Sequence, residues 1–268
     1  MNNLRKSSNT SQNGFTIIEL LVALPIATII VVVLISVLFT QYTESLAESA
    51  RSNLRTSGQT LLINLQDELL FTIAYGETID PGLSDPYEPA GGWQYDSNPQ
   101  TLIINEIALD STRRDEDRHI VRQRINDCIS STVNSNPVAI NDVIYFIEDN
   151  PNSNYDRLVK RTLTPTYNLC SIDSATGNPC APVTGTCRGN AKETTCPDAY
   201  VGLGNCSGPD SVLSEDVIDM QIRYFAEDNI ESAFPSDADK VEIVLTLGKK
   251  IYGRDVQAVV RHTIRKIN

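Results

Sequence analysis

The side chains able to do chemistry in this chain are few and unevenly placed. Glu19 stands directly against an uncharged run, Leu20 to Phe39, that reads LLVALPIATIIVVVLISVLF. A carboxylate at the edge of lipid hydrocarbon costs about a few kcal/mol unless a cation meets it. The nearest upstream cations, Arg5 and Lys6, lie across a polar spacer. A cut after Gly14 would make a closer one, because Phe15 would then carry a free α-amino group with Glu19 just beyond it.

Six cysteines form a second group: Cys128, Cys170, Cys180, Cys187, Cys196 and Cys206. From Cys170 onward they are separated by nine, six, eight and nine residues, unlike the C-x2-4-C pairs of structural zinc sites. An even number in an exported domain predicts disulfides. Five of the six fall within residues 170–206, so Cys128 is the natural sixth partner tethering that loop to the body; the pairing itself is left open. Asp149, Asn150, Asn152, Asn154 and Asp156 gather oxygen atoms in one stretch that lacks the glycine and terminal glutamate of an EF-hand loop. Calcium binding and plain turn chemistry both fit it. Only His119 and His262 could act as near-neutral bases, and no nucleophile-elbow or phosphate-loop pattern accompanies them. The sequence therefore predicts neither catalysis, nor a cofactor, nor a metal.

The elements that position these groups follow from periodicity. Twenty helical residues cover about 30 Å, the thickness of the hydrocarbon core, so residues 20–39 can span a membrane. With Arg5 and Lys6 on the short upstream side and Glu44 and Glu48 next downstream, the N-terminus is expected in the cytoplasm and everything past Phe39 outside it. Pro25 should bend the helix ahead of itself. Leu46, Ala50, Leu54, Leu61, Leu65 and Leu69 then recur at helical spacing with polar residues between them, predicting an amphipathic continuation that Gly58 weakens and the Gly76–Pro81 region ends. Beyond it, Val143–Asp149 and Tyr155–Leu163 flank NPNSN as a hairpin, and Leu102–Leu109 reads as a strand. Three segments near the C-terminus, around Ile218–Tyr224, Val241–Leu247 and Val256–Ile264, alternate apolar and polar residues as antiparallel strands with one wet face.

Gly14 to Leu24, GFTIIELLVAL behind a short basic leader, resembles the prepilin signature of type IV pilins and type II secretion pseudopilins. The resemblance implies that a prepilin peptidase cuts between Gly14 and Phe15, that Phe15 is N-methylated, and that Glu19 is the assembly glutamate, meeting the Phe15 amine of a neighbouring subunit. The later strand order is similar to PilW-type minor pilins and the GspJ-type pseudopilin. Membership implies a low-copy subunit that starts or caps a pilus, with an adhesin or receptor at the pilus tip and a type II secretion pseudopilin as the alternatives. Implied partners are the prepilin peptidase, other pilins through N-terminal helix packing, the inner-membrane assembly platform and the lipid bilayer. The implied location is the cytoplasmic membrane before assembly and a surface pilus or periplasmic pseudopilus afterwards.

The expected fold class is α+β: a long N-terminal helix packed on antiparallel β-sheet, with a cysteine-rich loop insertion. The expected divisions are a leader (1–14), a transmembrane and assembly helix (15–39), its amphipathic continuation (40–75), the first part of the exported domain (76–169), the cysteine-rich loop (170–206) and the C-terminal strands (207–268). The loop reads either as a displayed contact surface or as a stapled insertion. In a 268-residue chain, 22 Lys+Arg stand against 34 Asp+Glu, a net charge of −12. That balance repels phosphate polyanions, and no nucleic-acid partner is expected. Its best basic patch, Lys249 to Arg254 with Arg261 and Arg265, is thin.

Overall fold

A computed structural model describes residues 16–69, 72–108, 120–123, 137–164, 169–170, 194–203 and 206–266. The chain divides into two units, residues 1–49 and 50–268. One helix, α1 (Ile17–Leu69), carries Pro25 inside it and contributes to both.

In the first unit the helix is bare. Every described residue from Thr16 to Tyr42 is exposed. This helix is long and apolar enough to cross a membrane. Ile17 and Leu38, 84% and 64% exposed, have no cover among the described residues, which is the surface expected of a segment whose solvent is lipid or another apolar helix.

The second unit is an antiparallel sheet with α1 on one face. Its strands in chain order are β1 (Thr72–Gly76), β2 (Leu102–Ile107), β3 (Arg122–Gln123), β4 (Ile140–Glu148), β5 (Asp156–Leu163), β6 (Leu169–Cys170), β7 (Thr195–Cys196), β8 (Gly208–Pro209), β9 (Ser211–Phe225), β10 (Glu231–Ser232), β11 (Lys240–Ile251) and β12 (Arg254–Arg265). Eight of them make the main sheet in the order β1-β2-β4-β5-β9-β11-β12, with β10 added to β9. β3 pairs with β6 antiparallel, and β7 with β8 parallel. The molecule is thus α+β, with the hairpin read around NPNSN formed by β4 and β5 and the three alternating C-terminal segments lying in β9, β11 and β12.

The register sorts side chains onto two faces. Leu102, Tyr145 and Lys160 lie opposite one another on the α1 side, where the Tyr145 hydroxyl and Lys160 ammonium both donate to Glu68. On the neighbouring strands Ile222, Ile243 and His262 align, and the His262 ring meets Gln66 Oε1 at 2.6 Å. The reverse face of β2, β4 and β5 carries Ile103, Ile144, Phe146, Val159 and Leu163, covered by Trp93, Ile79 and Leu83 from the 77–100 segment.

Two features of α1 differ from the sequence expectation. Gly58 is no weak point, because it completes the buried stripe Ala50, Leu54, Leu62, Leu65 and Leu69. A Cβ there would lie 2.8 Å from Val260 Cγ2 and 2.9 Å from Leu247 Cδ1, so the missing side chain is what lets the helix backbone sit down on β11 and β12. The helix also ends at Leu69 instead of continuing to 75. In Thr72–Gly76 Thr72 and Tyr75 are buried while Ile73 is exposed, and the segment pairs with β2 from Thr72↔Glu106 to Gly76↔Ile103. Ladder hydrogen bonds and a two-sided burial pattern outweigh helix propensity over so short a segment.

Candidate functional site

The N-terminal motif reaches the described residues at Thr16. Thr16 N and Oγ1 donate to Glu19 Oε2 at 3.0 and 2.9 Å, and Glu19 N donates back to Thr16 Oγ1 at 3.2 Å. This reciprocal pair is a capping box, T-x-x-E, closing the first turn of α1. Glu19 thus has local hydrogen-bond donors, a hydroxyl and a backbone amide, that supply no positive charge. Its Oε1 has no hydrogen bond among the described residues. Gly14 and Phe15 lie outside them.

The second unit holds a buried ion cluster that sequence reasoning missed. Arg161 lies on β5 between Val159 and Leu163, opposite Ile144, on the face covered by the 77–100 segment. Its side chain is 2% exposed, as is that of Asp85, with Asp210 at 9%. Arg161 Nη1 donates to Asp85 Oδ2 at 2.8 Å and to the Tyr87 carbonyl at 3.2 Å. Nη2 donates to Asp210 Oδ2 at 2.6 Å, and Nε reaches both oxygens of that carboxylate. The guanidinium carbon sits 5.4 Å from the Trp93 ring and 5.3 Å from the Phe146 ring, within cation–π range. Trp93 Nε1 and Tyr87 N donate to Asp85, and Thr195 Oγ1 donates to Asp210. Burial pulls the Arg161 pKa down, but the hydrogen bonds with Asp210 and Asp85 outweigh it and hold the group above its ordinary value. These polar atoms are spent on fastening two loops to one strand.

The second of those loops is the one the cysteines close. Cys196 and Cys206 form a disulfide with Cα atoms 5.9 Å apart. Asp210 N donates to the Cys196 carbonyl at 2.9 Å, and Thr195 Oγ1 accepts from Thr162 N on β5. Tyr200 stacks on Tyr87 with ring centres 4.4 Å apart. A cleft of about 410 Å³ runs beside this region, lined by Tyr87, Trp93, Pro99, Phe146, Glu148 and Pro197 among others. Of the other cysteines, Cys128, Cys180 and Cys187 lie outside the described residues, and for Cys170 only its backbone in β6 is described.

The remaining candidates resolve as follows. In the Asn/Asp-rich turn, Asn150 Oδ1 accepts from Asn152 N and the Asn150 carbonyl from Ser153 N, so these oxygens serve the β4–β5 turn. Among the described residues no group of three or more His, Cys, Asp or Glu is placed to hold a metal ion. His262 is the hydrogen-bonded residue of the helix-facing side expected from its strand, and His119 lies outside the described residues. Lys249, Lys250 and Arg254 flank the two-residue turn of the β11–β12 hairpin, where Tyr252 and Gly253 take φ of 48° and 80°, the positive pair that such tight hairpins use.

Another buried carboxylate has a measurable consequence. Asp142 is 0% exposed. Its Oδ2 accepts from Asp80 N and its Oδ1 from Asn105 Nδ2, both at 2.6 Å. Burial nevertheless dominates, with the Asp80 charge adding to it, and pushes the Asp142 pKa from 3.8 up to about 6. Since the folded value exceeds the unfolded one, this group favours the folded state below about pH 4, and that contribution is lost as pH rises through about 6. A shift of about two units is worth about 3 kcal/mol. In urea titrations at pH 4 and pH 7, Asp142→Asn should lose less stability than the parent chain across that interval, by up to this amount. Equal losses in the two chains would remove Asp142 as the cause.

Comparison with protein-family models, curated proteins and solved structures finds no match.

Proposed function

We propose that this chain is a minor type IV pilin, a low-copy structural subunit that helps to initiate or cap a pilus once a prepilin peptidase has removed residues 1–14 and methylated Phe15. The observation that supports this reading most is the coincidence of GFTIIE with an apolar helix that the described residues leave bare. Such a helix has to exchange lipid for a packed neighbour without exposing its surface to water, and side-by-side packing with other pilins does so. Among the described residues the capping box satisfies backbone and hydroxyl groups but supplies no positive charge to Glu19. A Phe15 amine from the adjacent subunit would neutralise it, and a buried carboxylate left unmatched would penalise a wrong register. The subunit would sit in the cytoplasmic membrane before assembly, N-terminus in the cytoplasm, with its second unit outside.

Capping and charge pairing can be separated at one position. Glu19→Gln can still accept the Thr16 hydrogen bonds but carries no charge. It should insert into the membrane at the normal level and appear in sheared filaments at about a tenth of the parent amount or less, a deficit matching the loss of one buried charge pair. Parental amounts of Glu19→Gln in the filament fraction would refute the pairing.

A second reading, a contact module displayed at the filament tip, draws on the Cys196–Cys206 loop. Its tip exposes Tyr200, Val201 and Leu203 at 43%, 40% and 58% while its base is bonded to the sheet. The two readings are compatible in one molecule.

A further inference from the structure

The main sheet ends differently at its two sides. β1 is five residues long, its register with β2 shifts between Thr72 and Ala74, and Tyr75 at its centre is buried. At the other end β12 pairs with β11 through twelve consecutive positions, Lys240↔Arg265 to Ile251↔Arg254, with no shift. It contains no proline, and among the described residues no strand lies on its other side. A long, straight, open edge offers its unused amides and carbonyls to any extended chain, and proteins ordinarily blunt such edges or use them.

From this edge we infer that β12 is a docking strand for an extended, acidic segment of a partner protein. The charges select the occupant. β12 carries Arg254, Arg261 and Arg265 against a single acid, Asp255, and Asp255 already accepts a hydrogen bond from the Tyr155 hydroxyl. Arg261 and Arg265 are 62% and 63% exposed, with Glu242 at 3.6 Å and Glu227 at 3.9 Å. At that exposure these are weak, screened contacts that a better-placed carboxylate can replace. Two β12 edges brought together would gather six arginines and two aspartates on one seam, which opposes pairing with a second copy. An incoming strand with glutamate or aspartate at alternate positions meets Arg261 and Arg265 on the outer face, while exposed Val259, two positions before Arg261, offers it an apolar contact. Backbone hydrogen bonds supply affinity here, and charge supplies choice of partner. This inference is independent of the filament reading.

The test uses the full chain in nonionic detergent micelles. The probe is a ten-residue blocked peptide alternating glutamate with valine and threonine, beside a control with lysine in place of each glutamate. Fluorescence anisotropy should show the acidic peptide binding about tenfold more tightly, a preference that shrinks with added salt. Hydrogen exchange should slow within residues 254–265 when it binds. In the double variant Arg261→Glu with Arg265→Glu the preference should reverse toward the lysine peptide. Equal binding of the two peptides, protection confined to other strands, or an unchanged preference in the variant would each overturn the inference. So would protection of β12 that rises with protein concentration in the absence of peptide, since the occupant would then be a second copy. The peptide comparison on the parent chain decides the matter even where the double variant fails to fold.

Discussion

Arg161→Leu lowers the stability of the second unit by about 3–5 kcal/mol, the cost of leaving buried carboxylates without their cation. Asp85 retains donors from Trp93 and Tyr87, and Asp210 retains Thr195, so neither loses every hydrogen bond. What both lose is the positive charge, in a site where the three side chains are between 2% and 9% exposed. Loss of this much from a domain whose total is typically about 5–15 kcal/mol leaves little margin. Arg161→Lys keeps the charge but not the fork, since a single ammonium cannot reproduce guanidinium contacts to two carboxylates and a carbonyl, and it should fall between parent and leucine variant. A triple change, Arg161→Leu with Asp85→Asn and Asp210→Asn, should recover part of the loss by removing the stranded charges. The chain has one tryptophan, and Trp93 lies against the Arg161 guanidinium, so its fluorescence in a urea titration reports the cluster directly. A leucine variant with the parent's midpoint would show that the cluster does not hold the loops.

Gly14→Phe leaves the fourteen-residue leader attached to nearly all of the chain. The resemblance implies a peptidase that recognises glycine on the leader side of the cut; a benzyl side chain there obstructs close approach to the backbone that glycine allows. The uncut chain would have no amine at Phe15, and its two leader cations would stay at the membrane. It should therefore accumulate in the membrane at precursor mass and be missing from sheared filaments. The second unit should fold as in the parent, with unchanged Trp93 fluorescence, because the substitution lies outside residues 50–268. Efficient removal of the leader from this variant would set aside Gly14 as the cleavage residue.

Much of the scaffold was legible because local signals and tertiary demands coincide there. β4 and β5 read as a hairpin because Asn and Ser in NPNSN supply the side-chain acceptors that the turn uses. β11 and β12 read as strands because only one of their faces is packed on α1, which gives clean alternation. β1 was hidden because TIAYG continues a helical leucine pattern without a break, and its pairing partner lies about thirty residues downstream. Gly58 was misjudged because propensity counts its effect on the helix alone, whereas its spacing, four after Leu54 and four before Leu62, marks it as part of the buried stripe.

The ion cluster was the least legible part, since its carboxylates lie 76 and 49 positions from Arg161 in the chain and no local pattern joins them. One signal was present. In DRLVKRTL, Val159, Arg161 and Leu163 share a face, so a cation sits where period two calls for an apolar residue, and a buried cation demands distant acids. The capping box is written as openly, Thr16 three residues before Glu19 at the start of an apolar run.

The most direct measurement is the N-terminal residue of the chain recovered from cells that carry a prepilin peptidase, by sequencing and intact mass. The expected product begins at N-methylated Phe15 and has lost residues 1–14. A chain that still begins at Met1 would leave Glu19 no processed terminus to meet, and one that begins beyond Phe39 would have lost Glu19 itself; either would contradict the pilin reading.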